Sequence, residues 1–361
     1  MSTLPTDLMV LELGDQLWRG WTSVSVTRSI EAVAGAFDLT LTRRTGARLR
    51  IPLGGPCRVS VEDERGRRTP VLTGYIDDVE PSYDAQSHEV TVRGRDAAGD
   101  LVDCSAIHLP SGEWHGVTLD QIARDLVAPY GISVRAAADT GPAFASFRIQ
   151  EGETVWDALE RACRYRGILA MSDGLGGLVL TTPAQARDTG ATLERVPGTR
   201  VLSARGMMSH RDRYSTITVK GQSALDDGFG VEAVAAGRAS VTDAGVPRHR
   251  PLIVLAEEGE SLADRAAWER TVRQGRSRRA EITVAGWRDD ADALWRPLTL
   301  VRVVDPWLAL DRAMLIAGVT YDKSDDGTTA TLEVVAEGAF DVRQETPPES
   351  GGDADEQWVA R

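Results

Sequence analysis

Hydrophobic and polar positions alternate with a period of two along much of the first hundred residues, the period of a β-strand with one buried face. Trp21–Val26 sets Thr22, Val24 and Val26 against Trp21, Ser23 and Ser25, and Ala36–Thr42 alternates in the same way, with Arg43–Gly46 as its turn. Cys57–Glu62 puts Cys57, Val59 and Val61 on one face before the polar turn Glu64-Arg65-Gly66-Arg67. Val71–Val79 returns through Gly74, where a bulge or a close backbone approach is expected. Val90 and Val92 continue the alternation as far as Gly94, and a short turn or helical stretch then carries Leu101 and Val102 between aspartates. Short, regularly punctuated strands of this kind predict a small barrel or sandwich.

The period then changes to that of a helix, twice and in parallel. Thr118–Ile132 and Thr154–Ile168 each open on a threonine placed to cap a helix. The first spaces Leu119, Ile122, Ala123, Leu126 and Val127 along one helical face; the second does so with Val155, Ala158, Leu159, Ala162 and Cys163. Each ends on a glycine suited to a left-handed stop, Gly131 or Gly167, followed by an isoleucine that opens a strand. Two matched helix–strand units predict one α/β subdomain, with Ile168–Met171 forming a hairpin with Leu178–Thr181.

From about Arg200 the strand period returns at Thr216–Lys220, Ala280–Ala285, Leu298–Val304, Met314–Tyr321 and Thr329–Val335. Asp226–Gly245, rich in Gly, Ala and Asp, reads as a long exposed loop. Ser261–Gln274 reads as a helix capped by Ser261 and ended by Gly275. From Glu345 the chain is dominated by Pro, Gly, Ser and acids and reads as a disordered tail. A fainter echo links the two β regions. Gly74-Tyr75-Ile76 with Tyr83 and Glu89–Val92 resembles Gly318-Val319-Thr320 with Tyr321 and Thr331–Val334, the pattern of a duplicated module.

The expected fold is therefore mainly β with an α/β insert: two similar small β-barrels plus a helix–strand repeat subdomain. Residues 1–106 form the first barrel, with strands near 200–222 as candidates to complete it. Residues 107–199 form the α/β subdomain, 200–344 the second barrel with the 261–274 helix, and 345–361 the tail.

Composition narrows the functional classes. At 361 residues the chain is long enough for two or three cores. A net charge of −13 argues against a protein that coats nucleic acid, although a like-charged wall suits a conduit through which DNA slides. Cys57, Cys104 and Cys163 are too few and too scattered for a disulfide framework or a zinc site, and read as reduced thiols of a protein made in a cytoplasm. Met1–Val10 lacks the pattern of a signal peptide, and no apolar run approaches the ~20 residues needed to span a bilayer.

No constellation for chemistry emerges. His108 and His115 with Glu113 come nearest to a metal site but flank a turn at Pro110-Ser111-Gly112. No G-x-S-x-G elbow accompanies the serines, and Gly174-Leu175-Gly176-Gly177 sits between two strands with no following helix to hold a phosphate. Arg273, Arg276, Arg278 and Arg279 cluster at a helix end, where cations complement the dipole. The pairs Asp77-Asp78 and Asp289-Asp290 lack a partner acid. No catalytic, cofactor or metal residue is assigned. Glu151-Gly152-Glu153-Thr154-Val155-Trp156 weakly resembles the opening of LysM-type glycan-binding modules, which makes Glu153, Thr154 and Trp156 the candidate glycan contacts; turn, cap and first helical turn explain the same residues.

The segment Val90–Ala106, together with Gln150–Arg161, Tyr165–Leu169, Arg279-Ala280-Glu281, Gly286-Trp287, Leu294-Trp295 and Leu315-Ile316, resembles the baseplate hub proteins of Mu-like contractile-tailed phages, the tail protein P family. That family is similar to the hubs of other contractile tails and to the N-terminal part of type VI secretion spikes. The resemblance covers most of the chain and rests on packing and turn residues. It implies a structural virion component and no enzyme: a homotrimeric ring in which each copy contributes two similar barrels. Such a ring joins the sixfold tail tube, or other baseplate proteins, to the threefold spike around a channel for DNA that is not specifically bound. The alternative is a tail-associated peptidoglycan-binding or glycan-hydrolysing protein, which for hydrolysis would need a carboxylate pair facing a cleft.

Overall fold

The computed structural model describes residues 7–43, 51–85, 87–108, 111–196, 198–221, 237–256, 260–325 and 327–345. The expected turn at Arg43–Gly46 lies, from residue 44 on, outside them, as do Pro110 and the tail from residue 346.

Strands dominate. The first group comprises β1 (Leu8–Leu13), β2 (Gln16–Trp18), β3 (Ser23–Ser29), β4 (Ala36–Arg43), β5 (Pro56–Glu62), β6 (Arg68–Tyr83) and β7 (His88–Asp96). The α/β part follows with α1 (Gly99–Asp103), β8 (Glu113–Val117), α2 (Leu119–Val127), β9 (Ser133–Ala136), β10 (Phe144–Arg148), α3 (Val155–Arg164), β11 (Leu169–Ser172) and β12 (Gly177–Thr181). The remainder holds β13 (Arg187–Glu194), β14 (Val201–Met208), β15 (Thr216–Lys220), β16 (Arg238–Thr242), β17 (Pro251–Leu255) and α4 (Leu262–Arg276). It closes with β18 (Arg278–Ala285), β19 (Thr299–Asp305), β20 (Leu310–Ser324) and β21 (Gly327–Ala336).

Thirteen strands join one sheet in which the same arrangement occurs twice. Neighbouring strands run β1-β5-β6-β7-β4-β3 in the first half and β13-β19-β20-β21-β18-β14 in the second. Both runs thread their six strands in the same chain order. They differ at one end, where β1 pairs antiparallel with β5 but β13 pairs parallel with β19. Each central hairpin carries a bulge, between Ile76 and Asp78 in β6 and between Ile316 and Gly318 in β20. The echo seen in the sequence thus falls on equivalent hairpins, but the bulges align Gly318 with Asp78 rather than with Gly74.

Two separate closed barrels are not what forms. The outer edge of β3, which a closing strand would need, is taken by β20, pairing Val24–Ser29 with Gly318–Lys323 and fusing the two runs. A single core cluster follows, holding Met9, Leu11, Val59 and Leu72 together with Val284, Trp295, Val303 and Leu332. The strands near 200–222 do not complete the first run: β14 lies at the far edge of the second, and β15 sits in a separate sheet, β16-β15-β17, under α4. β13, expected within the α/β part, pairs with β19 of the second run. Of the expected loop at Asp226–Gly245, Arg238–Thr242 is strand β16, and residues 222–236 lie outside the described residues.

Close approach explains where glycines stand. β7 runs through Gly94 to Asp96 instead of stopping there. A Cβ on Gly94 would strike the Tyr75 carbonyl and lie 2.6 Å from the Phe37 ring. A Cβ on Gly74 would strike the Arg95 carbonyl, so close approach is the reason for that glycine; the bulge lies at Asp77. Gly275 lies inside α4, not beyond it, because the Ala339 backbone packs there: a Cβ would sit 2.6 Å from the Ala339 Cα.

The two helix–strand units pack around one core, with α2 and α3 burying Leu119, Ile122, Leu126, Val155, Leu159 and Ala162. Gly131 and Gly167 both adopt the left-handed conformation, at φ 68° and 61°. Thr154 closes a capping box with Asp157. Thr118 holds the cap position without capping, and its hydroxyl turns to the Asp120 carboxylate. The hairpin β11–β12 forms as expected, and β9 adds parallel to β12. A buried polar joint ties this unit to the large sheet. Asp96 accepts from the Gly35 and Ala98 amides at 2.9 Å each, burial raises its pKa, and the Arg28 guanidinium reaches the Ser172 carbonyl at 3.4 Å.

Candidate assembly surface

Two grooves of nearly equal size, ≈ 370 and ≈ 380 Å³, lie at equivalent places on the two runs. The first is lined by Thr27, Asp38, Asp77, Arg93, Gly94 and Arg95; the second by their counterparts Met207, Glu281, Ala317, Glu333, Val334 and Val335. The duplication thus extends from pairing to surface shape, while the charges differ. In the first groove Arg93 bridges Asp38 and Glu80 at 2.6 Å each, and Arg95 bridges Asp77 at 3.0 Å and Asp103 at 2.6 Å.

Among the strand edges that stand open in the described residues, two lie at equivalent places beside the two runs. Beyond its bulge, β6 pairs only with β7, leaving the other side of Asp78–Tyr83 unpaired, with Tyr83 exposed. β14 pairs only with β18 and exposes Leu202, Met207 and Met208. Beside β14, the β19–β20 turn holds Trp307 out to solvent at 80 % exposure. Asp305 fixes that turn by accepting from the Trp307 and Leu308 amides at 2.8 and 3.1 Å, and Leu308 packs over Gly206. Large apolar groups on open edges mark contact surfaces.

The candidate glycan residues all serve the fold. Both Glu153 oxygens accept from Arg161 at 2.7 Å, and burial of the carboxylate is outweighed by that guanidinium, which holds its pKa below the ordinary range. Arg161 also reaches the Arg148 carbonyl and lies over the Phe147 ring. Thr154 spends its hydroxyl on the cap, and half-buried Trp156 rests on the α/β core. The shallow cleft beside them is lined by Phe147, Arg148, Gln150, Glu151 and Arg161.

The other singled-out residues are not gathered into one place. His108 stacks on Trp114 with centroids 4.0 Å apart, whereas the exposed His115 stands beside Glu113. Asp173 ties the Gly174–Gly177 turn through the Leu175 and Gly177 amides, as a hairpin loop requires. Of the arginine cluster, Arg273 binds Glu269, Arg276 binds the Ala339 carbonyl and Arg279 leans on Met207. Asp77 pairs with Arg95, Asp290 with Arg200, and Asp289 accepts from the Ala291 and Ala293 amides. The β14 edge was missed in the sequence because its burial does not alternate: only Val201 and Ala204 are part-buried.

Three family models divide the chain. The Mu phage baseplate assembly protein GpP-like N-terminal domain matches residues 8–96, the baseplate hub protein gp44-like second domain 98–182, and the GpP fourth domain 259–343. The chain is 35% identical to the baseplate hub protein gp44 of Escherichia phage Mu, over 97% of its own length and 93% of that protein. It belongs to the Mu-like baseplate hub protein family. The hub is also similar to the tail protein of prophage MuSo2 from Shewanella oneidensis, with 38% identity, a TM-score of 0.79, and coverage of 93% of this chain and 100% of that one. It shares its fold with a type VI secretion system component from E. coli, at 13% identity and TM-score 0.57, over 94% of this chain and 80% of that one. The relatives are structural hub and tail proteins, and the hub acts as a structural part of a phage tail baseplate, not as an enzyme. Among the described residues no helix is long and apolar enough to cross a membrane.

Proposed function

We propose that the hub is a symmetry adaptor: three copies form a ring joining a sixfold tail tube above to a threefold spike below, around a channel through which DNA leaves. The observation that supports this best is the doubled run of six strands. One chain carrying two like units lets three chains present six, so a threefold assembly can face a sixfold one. The net charge of −13 fits a channel that passes DNA without gripping it, since like charges repel phosphates. Three free cysteines fit synthesis in a host cytoplasm before incorporation into the virion.

Native mass measurement of the purified hub, alone and mixed with its spike protein, tests the stoichiometry. The expected result is a mass of three chains in at least one of the two samples. A monomer that persists in both overturns the proposal.

A further inference from the structure

The two halves of one chain are joined by strand pairing whose equivalents lie at the molecule's edges. Within the chain, Gly318–Lys323 of β20 pairs with Val24–Ser29 of β3. The equivalent of Gly318–Lys323 in the first run is Asp78–Tyr83 of β6, since both segments start just after the bulge. The equivalent of β3 in the second run is β14: following the registers across β7 and β4, and across β21 and β18, sets Thr27 against Met207. Both equivalents are open edges, as described above. They are not paired with each other within the chain.

We propose that neighbouring hubs join by antiparallel pairing of Asp78–Tyr83 of one copy with Ala204–Ser209 of the next. Transferring the register of the internal joint puts Val79 opposite Met208, Glu80 opposite Met207, Pro81 opposite Gly206 and Tyr83 opposite Ala204. Each copy offers one edge of each kind, so the contact is head-to-tail, the kind that builds a ring where its rotation closes. Side chains and charge agree with it. The exposed Met207 and Met208 gain cover, and the acidic strand end with Asp78 and Glu80 meets an edge bearing Arg205, with Arg278 and Arg279 on the next strand. Pro81 supplies no N–H, which blunts this edge against indiscriminate pairing while leaving its carbonyl to accept. Leu308 packs over Gly206, which brings the exposed Trp307 next to it in the chain close to the same contact.

This pairing rests on the ring reading above, and cysteine cross-linking separates the two. In the internal joint the Thr27 and Thr320 hydroxyls lie 3.3 Å apart, so the equivalent side chains, Met207 and Glu80, should face each other across the interface at disulfide distance. Oxidation of hubs carrying both Glu80→Cys and Met207→Cys should give covalent oligomers up to the closed ring on denaturing gels, and neither single variant should do so. A native trimer without that cross-link overturns the pairing and leaves the ring. Absence of any oligomer, with or without spike, overturns both. Independently, Met208→Asp, on an exposed side chain, should lower the trimer fraction at least tenfold at fixed concentration with circular dichroism unchanged; a trimer fraction equal to wild type overturns the pairing.

Discussion

Single residues in this protein act through close approach and buried pairing. Gly94 is the clearest case, because any side chain there meets the Tyr75 carbonyl and the Phe37 ring. Gly94→Ala should cost about 1–3 kcal/mol, the range for forcing extra atoms into a packed site, measured as a shift of the urea midpoint. Buried Asp243 accepts from Arg213 at 2.7 and 2.9 Å. Burial opposes its ionisation, but the guanidinium and the Gly245 amide outweigh it and hold the carboxyl below the ordinary range. A depressed folded-state pKa contributes stability that is present above the unfolded value of 3.8 and is lost as pH falls through the folded value. Asp243→Asn should therefore destabilise at pH 7 by about 3 kcal/mol, through an uncompensated buried guanidinium, and flatten the acid limb of the stability–pH curve. Equal stability of variant and wild type at pH 7 would refute this. Of the candidate glycan contacts, the residue types were legible, but their employment was not: the Arg161 that engages Glu153 was one more charge on a helix in the sequence.

Elements were legible in proportion to how local their signals are. The two helices that open on threonine, with their glycine stops, and the β11–β12 hairpin follow from spacing within about fifteen residues. β14 was missed because its burial does not alternate, and β16 because only Ala239 and Val241 mark its inner face over five residues of a Gly- and Ala-rich stretch. The twin helices also show how far the pattern reaches. Both open on threonine, yet only Thr154 caps, since an aspartate three residues on completes the reciprocal box while Thr118 faces Asp120. Thr154→Ala should thus lower stability by about 1 kcal/mol and Thr118→Ala by less, as read from thermal unfolding of the two variants. Equal losses would contradict the assignment.

At the scale of the whole molecule, the duplicated hairpins could be glimpsed in the sequence, but their joining could not. Thr27 and Thr320 meet across 293 residues, and no local pattern encodes such a partner. That single pairing turns two expected barrels into one continuous sheet, and it leaves its two equivalents open at the molecule's edges. A chain made of two like halves with matching open edges is suited to ring assembly, where function comes from shape and repetition rather than reactive groups. End-on electron microscopy of the purified hub, or of the hub bound to its spike, tests this most directly. Averaged without imposed symmetry, the particles should show a closed ring of strict threefold symmetry with six similar lobes around a central opening; particles lacking a ring, or with a lobe count other than six, would contradict it.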